Sequence, residues 1–360
     1  MKRSPVQRHS LLGSLGLTVA AVLLCLLTGE IAGRLFSPTA SLWRYPNYIA
    51  LVILPDNEHE SQMRYDPELG HEPLPRFAGL LKGQRISFNA NGLRNHNRSA
   101  LMPPAGPSVL MVGDSLTEGY MVGDDQTWPA NLERLIGRRV FNGGVRAYGI
   151  DQMVLRAERL APRLKPAAMV LAFIPDDIER SELSIRDNIH KPYFVLTGDG
   201  LALRNVPVPR SPTYGQLNLT RRILGHSYLA DFIMRRLGLD ELWYGSYTRA
   251  HCDGDAVSCR LMARFARLAE GLGARALVVA LYEDPPWTST AVAAAERKRT
   301  HGVLDCAARA GMATLDTWDG FAAADTAHAM TETYINDHFT DRGNALAAKL
   351  VAAALETVPK

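Results

Sequence analysis

Two short stretches of this 360-residue chain, more than two hundred positions apart, carry residues that together could do covalent chemistry. The first is Gly113-Asp114-Ser115-Leu116-Thr117-Glu118-Gly119, which ends the apolar run Val109–Asp114. A serine on a sharp turn between a strand end and a helix start is well placed as a nucleophile. Its hydroxyl is held out from the sheet edge, and its own backbone N–H can face a developing oxyanion. A serine after Gly-Asp is also a common helix cap. The second stretch tips that balance: Asp337-His338 precedes Phe339-Thr340-Asp341-Arg342-Gly343-Asn344 and a last helical segment. An imidazole is the usual base for a serine proton at neutral pH.

The elements that must bring these residues together are legible as alternating strands and helices from Pro107 onward. Val109–Asp114, Val140–Gly144, Ala167–Pro175, Ala276–Tyr282 and Met312–Thr317 are apolar almost throughout, as suits parallel strands covered on both faces. Helical stretches fall around Thr127–Ile136, Asp151–Leu164, Leu261–Leu272, Ala291–Ala310 and Asp341–Thr357. Five such strands with intervening helices predict an α/β fold with a doubly wound, mainly five-stranded parallel sheet, whose ligand groups sit at the carboxyl ends of the strands. A long insertion at about 181–272 interrupts the rhythm. It holds a hairpin closed by Gly198-Asp199-Gly200 and a helix over Leu224–Leu242, and an insertion of this length beside a site edge suits a substrate cap.

Charge and hydropathy set the topology. The chain has 40 Lys+Arg against 37 Asp+Glu, and Lys2, Arg3 and Arg8 account for the whole excess of +3. A balanced remainder excludes a nucleic-acid binder that works through a general basic field. Ser10–Gly29 is a twenty-residue apolar run, and at ~1.5 Å per residue it spans roughly the hydrocarbon of a bilayer. It is longer than a secretory signal core, and Glu30 spoils a cut after Ala32. The expectation is residues 1–9 as a cytoplasmic tail, 10–36 as a single-pass bacterial inner-membrane anchor, 37–106 as a stalk or small β-rich cap, and 107–360 as an extracytoplasmic, periplasmic α/β domain.

The remaining features are set aside or read structurally. Cys252 and Cys259, seven apart in a polar stretch, are expected to form a disulfide outside the cytoplasm, with Cys306 a buried thiol. The histidines form no pair at metal-ligand helical spacing, and no metal or organic cofactor is expected. Arg221, Arg222, Arg235 and Arg236 form two Arg-Arg pairs in the insertion, suited to a solvated face or to lipid head groups.

GDSLTEG near the start of an α/β domain, with DHFTDRGN before its last helix, resembles the SGNH/GDSL hydrolase family. The resemblance extends to TWPANLE, FNGGVRAYGIDQ and KPAAMVLAFIPDDIE, and the NANGLR segment ahead of the domain is similar to the family's membrane-anchored branch. It implies a flavodoxin-like sheet, with Ser115 as nucleophile and His338 as general base. It implies an oxyanion site built from the N–H of Ser115, the N–H at Ala147 where the family has glycine, and Asp176 where the family has asparagine. Gly144 or Gly149 are alternatives to Ala147, and Asp176 would have to be protonated to donate. The carboxylate that orients the histidine is displaced from the family's spacing. Asp337 is the nearest candidate, with Asp316, Asp319 or a backbone carbonyl as alternatives. The implied function is a serine esterase acting through an acyl-enzyme on O-acyl groups of a cell-envelope carbohydrate or lipid. O-acyl transfer to an envelope polysaccharide, or a decayed glycan-binding protein, are the other readings.

Overall fold

The computed structural model describes residues 5–36, 62–96, 106–187, 189–198, 200–210, 219–239, 247–250, 252–283, 290–324 and 330–357. It divides into two compact units, Met1–Asn57 with Ser211–Tyr247, and Glu58–Arg210 with Thr248–Lys360. The first unit contains α1 (Pro5–Phe36), whose segment Gly13–Phe36 is long and apolar enough to cross a membrane, with a mean hydropathy of 2.1.

The second unit is built on a five-stranded parallel sheet. Its strands are β1 (Val109–Gly113), β2 (Val140–Asn142), β3 (Ala168–Phe173), β4 (Arg275–Ala280) and β5 (Ala313–Asp316), in the order β5-β4-β3-β1-β2. Numbered along the chain that order is 2-1-3-4-5, the flavodoxin-like arrangement. The strands lie parallel and in tight register, Val112 opposite Leu171 and Ala172 opposite Val279. After α1 the helices among the described residues include, in order, α2 (Ser115–Glu118), α3 (Trp128–Ile136), α4 (Ile150–Leu164), α5 (Pro175–Arg180), α6 (Leu219–Leu224), α7 (Tyr228–Arg236), α8 (Gly254–Gly271), α9 (Thr290–Arg309) and α10 (Asp341–Thr357). Further helical turns at Trp318–Ala324 and Met330–Thr333 precede α10.

The apolar runs are explained by burial on both sides. Leu110 and Val112 of β1 join one core with Met153 and Ala157 of α4, Leu261 and Phe265 of α8, and Val303 of α9. Val109 and Met111 face the other way, into a core with Trp128 and Leu132 of α3 and Ala347 and Val351 of α10. Each fully buried side chain of this kind contributes about 1.5–3 kcal/mol, so the strand that delivers Gly113 and Asp114 is fixed from both faces.

Ahead of the sheet, the described residues 62–96 form the hairpins Met63–Asp66/Gly70–Pro73 and Ala78–Leu81/Gln84–Ser87, and the rest of the segment expected as a stalk or cap lies outside the described residues. These hairpins cluster with the α/β unit instead of standing apart. The insertion also divides. Its hairpin Tyr193–Thr197/Gly200–Arg204 places Phe194 in the α4–α8 core, and the buried Lys191 ammonium meets the Asp151 carboxylate at the start of α4. Residues 211–247 cluster with α1. The long crossover helix α8 begins at Gly254, well before the expected end of the insertion near 272.

The cysteine pairing differs from the sequence expectation. The disulfide joins Cys259 of α8 to Cys306 of α9, with Cα atoms 5.2 Å apart, and Cys25 and Cys252 are free thiols. Cys252 lies just ahead of the Asp253 helix cap and directs its thiol to the Ser181 carbonyl, while Cys259 lies on the face of α8 turned to α9. Neighbours in sequence lost to neighbours across a helix pair. A 47-residue separation suits a stabilising cross-link, worth about 2–4 kcal/mol. Cys306→Ser should therefore lower the unfolding free energy by about that amount, and Cys252→Ser should not. Thiol titration of the denatured, unreduced chain should give two free thiols, and four after reduction.

Candidate active site

Ser115 is the first residue of α2, at the carboxyl end of β1, an interior strand paired with β3 and β2. The turn that presents it needs glycine at 113. A Cβ there would stand 2.2 Å from Thr117 Oγ1 and 2.7 Å from the Ala172 carbonyl oxygen, so no larger residue lets β1 run this close to β3. Asp114 caps the helix by accepting the Leu116 N–H on Oδ1 at 3.0 Å. After one turn the helix stops at Gly119, which is left-handed and donates its N–H back to the Ser115 carbonyl at 3.0 Å. The hydroxyl is thus held on a rigid, nearly buried corner.

His338 arrives from the other end of the chain on a two-residue hairpin. Tyr334–Ile335 pairs with His338–Phe339, and the loop residues Asn336 and Asp337 both have positive φ, 47° and 63°. That is the geometry of a type I′ turn, which tolerates asparagine and aspartate. Nε2 of His338 lies 2.9 Å from Ser115 Oγ. Nδ1 lies 2.7 Å from the carbonyl oxygen of Asn336, to which its N–H donates. Hydrogen bonding at Nδ1 leaves Nε2 as the lone-pair nitrogen toward the serine.

The expectation that Asp337 orients the histidine is therefore corrected. The turn folds the Asn336 carbonyl under the imidazole and leaves the Asp337 side chain exposed. Asp316 is engaged elsewhere, accepting from Trp318 N–H and contacting His301 Nε2 at 2.8 Å. The hairpin is fixed by packing and by Asn344. Phe339 stacks on Phe321, with ring centroids 5.1 Å apart. Asn344 at the start of α10 donates to the carbonyls of Phe339 and Thr340 and accepts the Trp128 N–H at 2.8 Å. One amide side chain so ties the histidine loop to the first turn of α3.

The oxyanion candidates separate in the same way. Among the described residues no partner is formed by the N–H of Ser115 or of Ala147. The N–H groups of Gly144 and Gly149 are already bound, to Asn142 Oδ1 at 3.0 Å and Gln152 Oε1 at 3.3 Å. Ala147 sits at φ 67°, a left-handed conformation that costs a non-glycine residue about 1–2 kcal/mol. Its loop is held against α2: Val145 N–H donates to the Gly113 carbonyl, and Arg146 N–H to Glu118. Asp176 does not match its expected role as a buried neutral donor. Its side chain is 59% exposed and lies 3.5 Å from Arg180 Nη2. The burial expected of Asp176 belongs to Asp177.

Sequence reasoning missed the charged groups behind the serine. Arg180 is buried between Asp177, 2.5 Å away, and Asp114, 3.6 Å away. Burial pushes the Asp114 carboxyl up, against the pull of Arg180 and His338. Burial and the Asp114 charge push Asp177 up further. Glu283, just beyond β4, is raised to about 8 by burial and by Asp114 and Asp176. A lone glutamate after an apolar strand carries no sequence signal of that environment.

A second missed group is Arg94, in the NANGLR segment. Its side chain is fully buried and forms an ion pair with Asp124 at 2.7 Å. It also donates to the carbonyls of Glu118, Gly119 and Val122, at the end of α2 and in the turn that follows it. Arg156 bridges the same region, donating to the carbonyls of Gly143 and Gly92. Arg94, from the segment before the sheet, and Arg156 of α4 thus buttress the Ser115 corner from behind.

No family model matches the chain. No curated protein matches it. Its fold is similar to that of solved structures at low identity. One is LAE5, an α/β hydrolase from the metagenome of Lake Arreo, Spain, at 13% identity over 71% of this chain and 98% of that one, with a TM-score of 0.45. A second is a variant of Axe2, an acetyl xylan esterase from Geobacillus stearothermophilus, at 12% identity over 71% and 97%, TM-score 0.42. A third is a member of the lipolytic G-D-S-L family from Veillonella parvula, at 14% identity over 69% and 97%, TM-score 0.41.

Two outcomes follow from this geometry. Losing the orienting carboxylate of a Ser-His-Asp triad costs about 10⁴ in kcat. With a carbonyl in that place, Asp337→Asn should change kcat/KM for an ester by less than about tenfold, measured against a Ser115→Ala baseline. Glu283 binds its proton more tightly in the folded chain than in the unfolded one. The stability this adds is complete below pH 4.5 and is lost as the pH rises through about 8. Thermal melts across that range should show a decline that Glu283→Gln flattens.

Proposed function

We propose that this chain is a membrane-anchored serine esterase of the SGNH/GDSL type, which removes O-acyl groups from a carbohydrate or lipid of the cell envelope. The observation that carries the reading is the 2.9 Å contact between Ser115 Oγ and His338 Nε2, made on a strand-to-helix corner whose first N–H is unspent among the described residues. Nucleophile, base and electrophilic donor then converge on one corner of the fold.

In this scheme the Ser115 oxygen attacks the ester carbonyl carbon as its proton passes to His338 Nε2. The imidazolium keeps its Nδ1–H on the Asn336 carbonyl, which holds the ring plane and offsets part of the new charge. The N–H groups of Ser115 and Ala147 would receive the oxyanion. Collapse of the tetrahedral adduct expels the alcohol, which takes the proton from His338, and leaves an acyl-serine. Water, deprotonated by the same imidazole, then releases the acid. No side-chain amide stands at position 176, so the scheme uses backbone donors. One missing oxyanion donor costs about 10²–10³ in rate, and a slow esterase is expected.

The anchor reading rests on Gly13–Phe36 and on three cations, unopposed by any acid, in the first nine residues, which by the positive-inside rule leave the α/β unit outside the cytoplasm. A charge-balanced exterior suits an uncharged acyl ester. The intact Ser115–His338 contact favours catalysis over a decayed binding protein.

Hydrolysis of p-nitrophenyl acetate by the full chain in detergent tests the reading. Ser115→Ala and His338→Ala should each lower kcat/KM by at least about 10³-fold. A wild-type rate equal to that of both variants, in folded protein, would refute it.

A further inference from the structure

The end of α1 is built into a junction with α7 that no catalytic role requires. Glu30 caps α7: it accepts the Tyr228 N–H at 3.1 Å, the Leu229 N–H at 3.1 Å and the Ser227 hydroxyl at 2.7 Å. A carboxylate at a helix N-terminus also complements the helix dipole. Arg34, one turn later, bonds Glu30 at 2.7 Å, donates to the His226 carbonyl at 2.7 Å and lies over the Tyr228 ring. Gly29 and Gly33 form the notch that lets the helices meet. A Cβ at either would come within 3.1 Å of Leu229 or Tyr228.

Helix α7 carries an apolar stripe in steps of four: Tyr228 and Leu229, Phe232 and Ile233, then Leu237 just past the helix end. The first pair is covered by the α1 notch. The stripe then continues bare, with Phe232 62% and Leu237 63% exposed. Leu219 and Ile223 of α6, again four apart, are equally bare. The segment 219–239 holds Arg221, Arg222, Arg235 and Arg236 against one acid, Asp231.

We propose that α6 and α7 lie in the outer interface of the bilayer, as an amphipathic collar around the exit of α1, with Phe232, Ile233 and Leu237 among the acyl chains. The inference rests on reading α1 as the bilayer-spanning anchor. Its occupant is fixed by continuity. Glu30 is the first acid after the apolar run, so it marks the border of the hydrocarbon, and it is the residue to which α7 is fastened. Beside it Leu27, Ile31 and Leu35 of α1 are bare as well. A helix that starts at that border, with an uncovered apolar stripe and an excess of arginine, has the composition of an interfacial helix. The collar would hold the chain at the membrane by two attachments.

The test uses the full chain with Cys25→Ser and Cys252→Ser, which leaves the Cys259–Cys306 disulfide in place. Single cysteines at Phe232, Ile233 or Leu23 are labelled with bimane and reconstituted into phosphatidylcholine/phosphatidylglycerol vesicles. Brominated acyl chains probe burial in lipid, and aqueous iodide probes exposure to water. The proposal expects strong bromine quenching and weak iodide quenching at 232 and 233, together with bromine quenching at 23. Bromine quenching at 23 alone, with 232 and 233 open to iodide, overturns the collar and leaves the anchor standing. Labels at 232 and 233 shielded from both quenchers would place a second copy or another part of the chain on the stripe, and also overturn it. A label at 23 that lipid does not quench removes the anchor and the collar together.

Discussion

Everything in the α/β unit serves one contact, the 2.9 Å approach of the Ser115 hydroxyl to the His338 imidazole across 223 positions of chain. Neither partner sits on a flexible arm. Ser115 stands at the end of β1, an interior strand that is buried on both faces and locked to β3 by a glycine that admits no Cβ. His338 stands on a hairpin whose two turn residues both take positive φ, fastened by an asparagine that also receives the first N–H of α3. Catalytic geometry must be held to fractions of an ångström, and this arrangement holds it with backbone as much as with side chains.

The same economy extends to the histidine's second nitrogen. A carboxylate there would stabilise the imidazolium more strongly than the Asn336 carbonyl can, but a carbonyl fixes the tautomer and ring plane equally well. The negative groups near the serine are instead arranged behind it, where Arg180 lies between Asp114 and Asp177. Burying such charges is costly unless each is paired and hydrogen-bonded, and removing one partner strands the others. Arg94 poses the same constraint on the far side of α2, where its guanidinium satisfies three carbonyls at the end of α2 and in the turn that follows it, as well as Asp124. The corner is rigid because its supporting charges have nowhere else to go.

What could be read from the sequence was what periodicity and local turn chemistry encode. Apolar runs without alternation gave the five strands to within a residue or two, and Gly-Asp-Ser and Asp-His located the two halves of the contact. What was not legible depends on atoms that have no residue signature or on partners distant in the chain. The Asn336 carbonyl is backbone; finding it required recognising Asn336-Asp337 as a type I′ turn and not as extended chain. The Cys259–Cys306 bond depends on how α8 and α9 pack, which spacing along one strand of sequence does not reveal. Arg94, Arg180 and Glu283 carry no mark in the sequence of the surroundings that the fold gives them. Ala147 is the converse case. Its positive φ is a conformation that glycine favours, which an alanine in the sequence does not announce.

The central claim is that Ser115 is made nucleophilic by His338 alone among the side chains. Site-mapped labelling with a fluorophosphonate tests it most directly: the folded full chain is reacted, digested and analysed by mass spectrometry alongside His338→Ala and Asp337→Asn. The expected result is a phosphonylated Ser115 in the wild-type chain, near-equal labelling in Asp337→Asn, and loss of labelling in His338→Ala. An unmodified Ser115 in the wild-type chain, or labelling that survives in His338→Ala but is lost in Asp337→Asn, would contradict it.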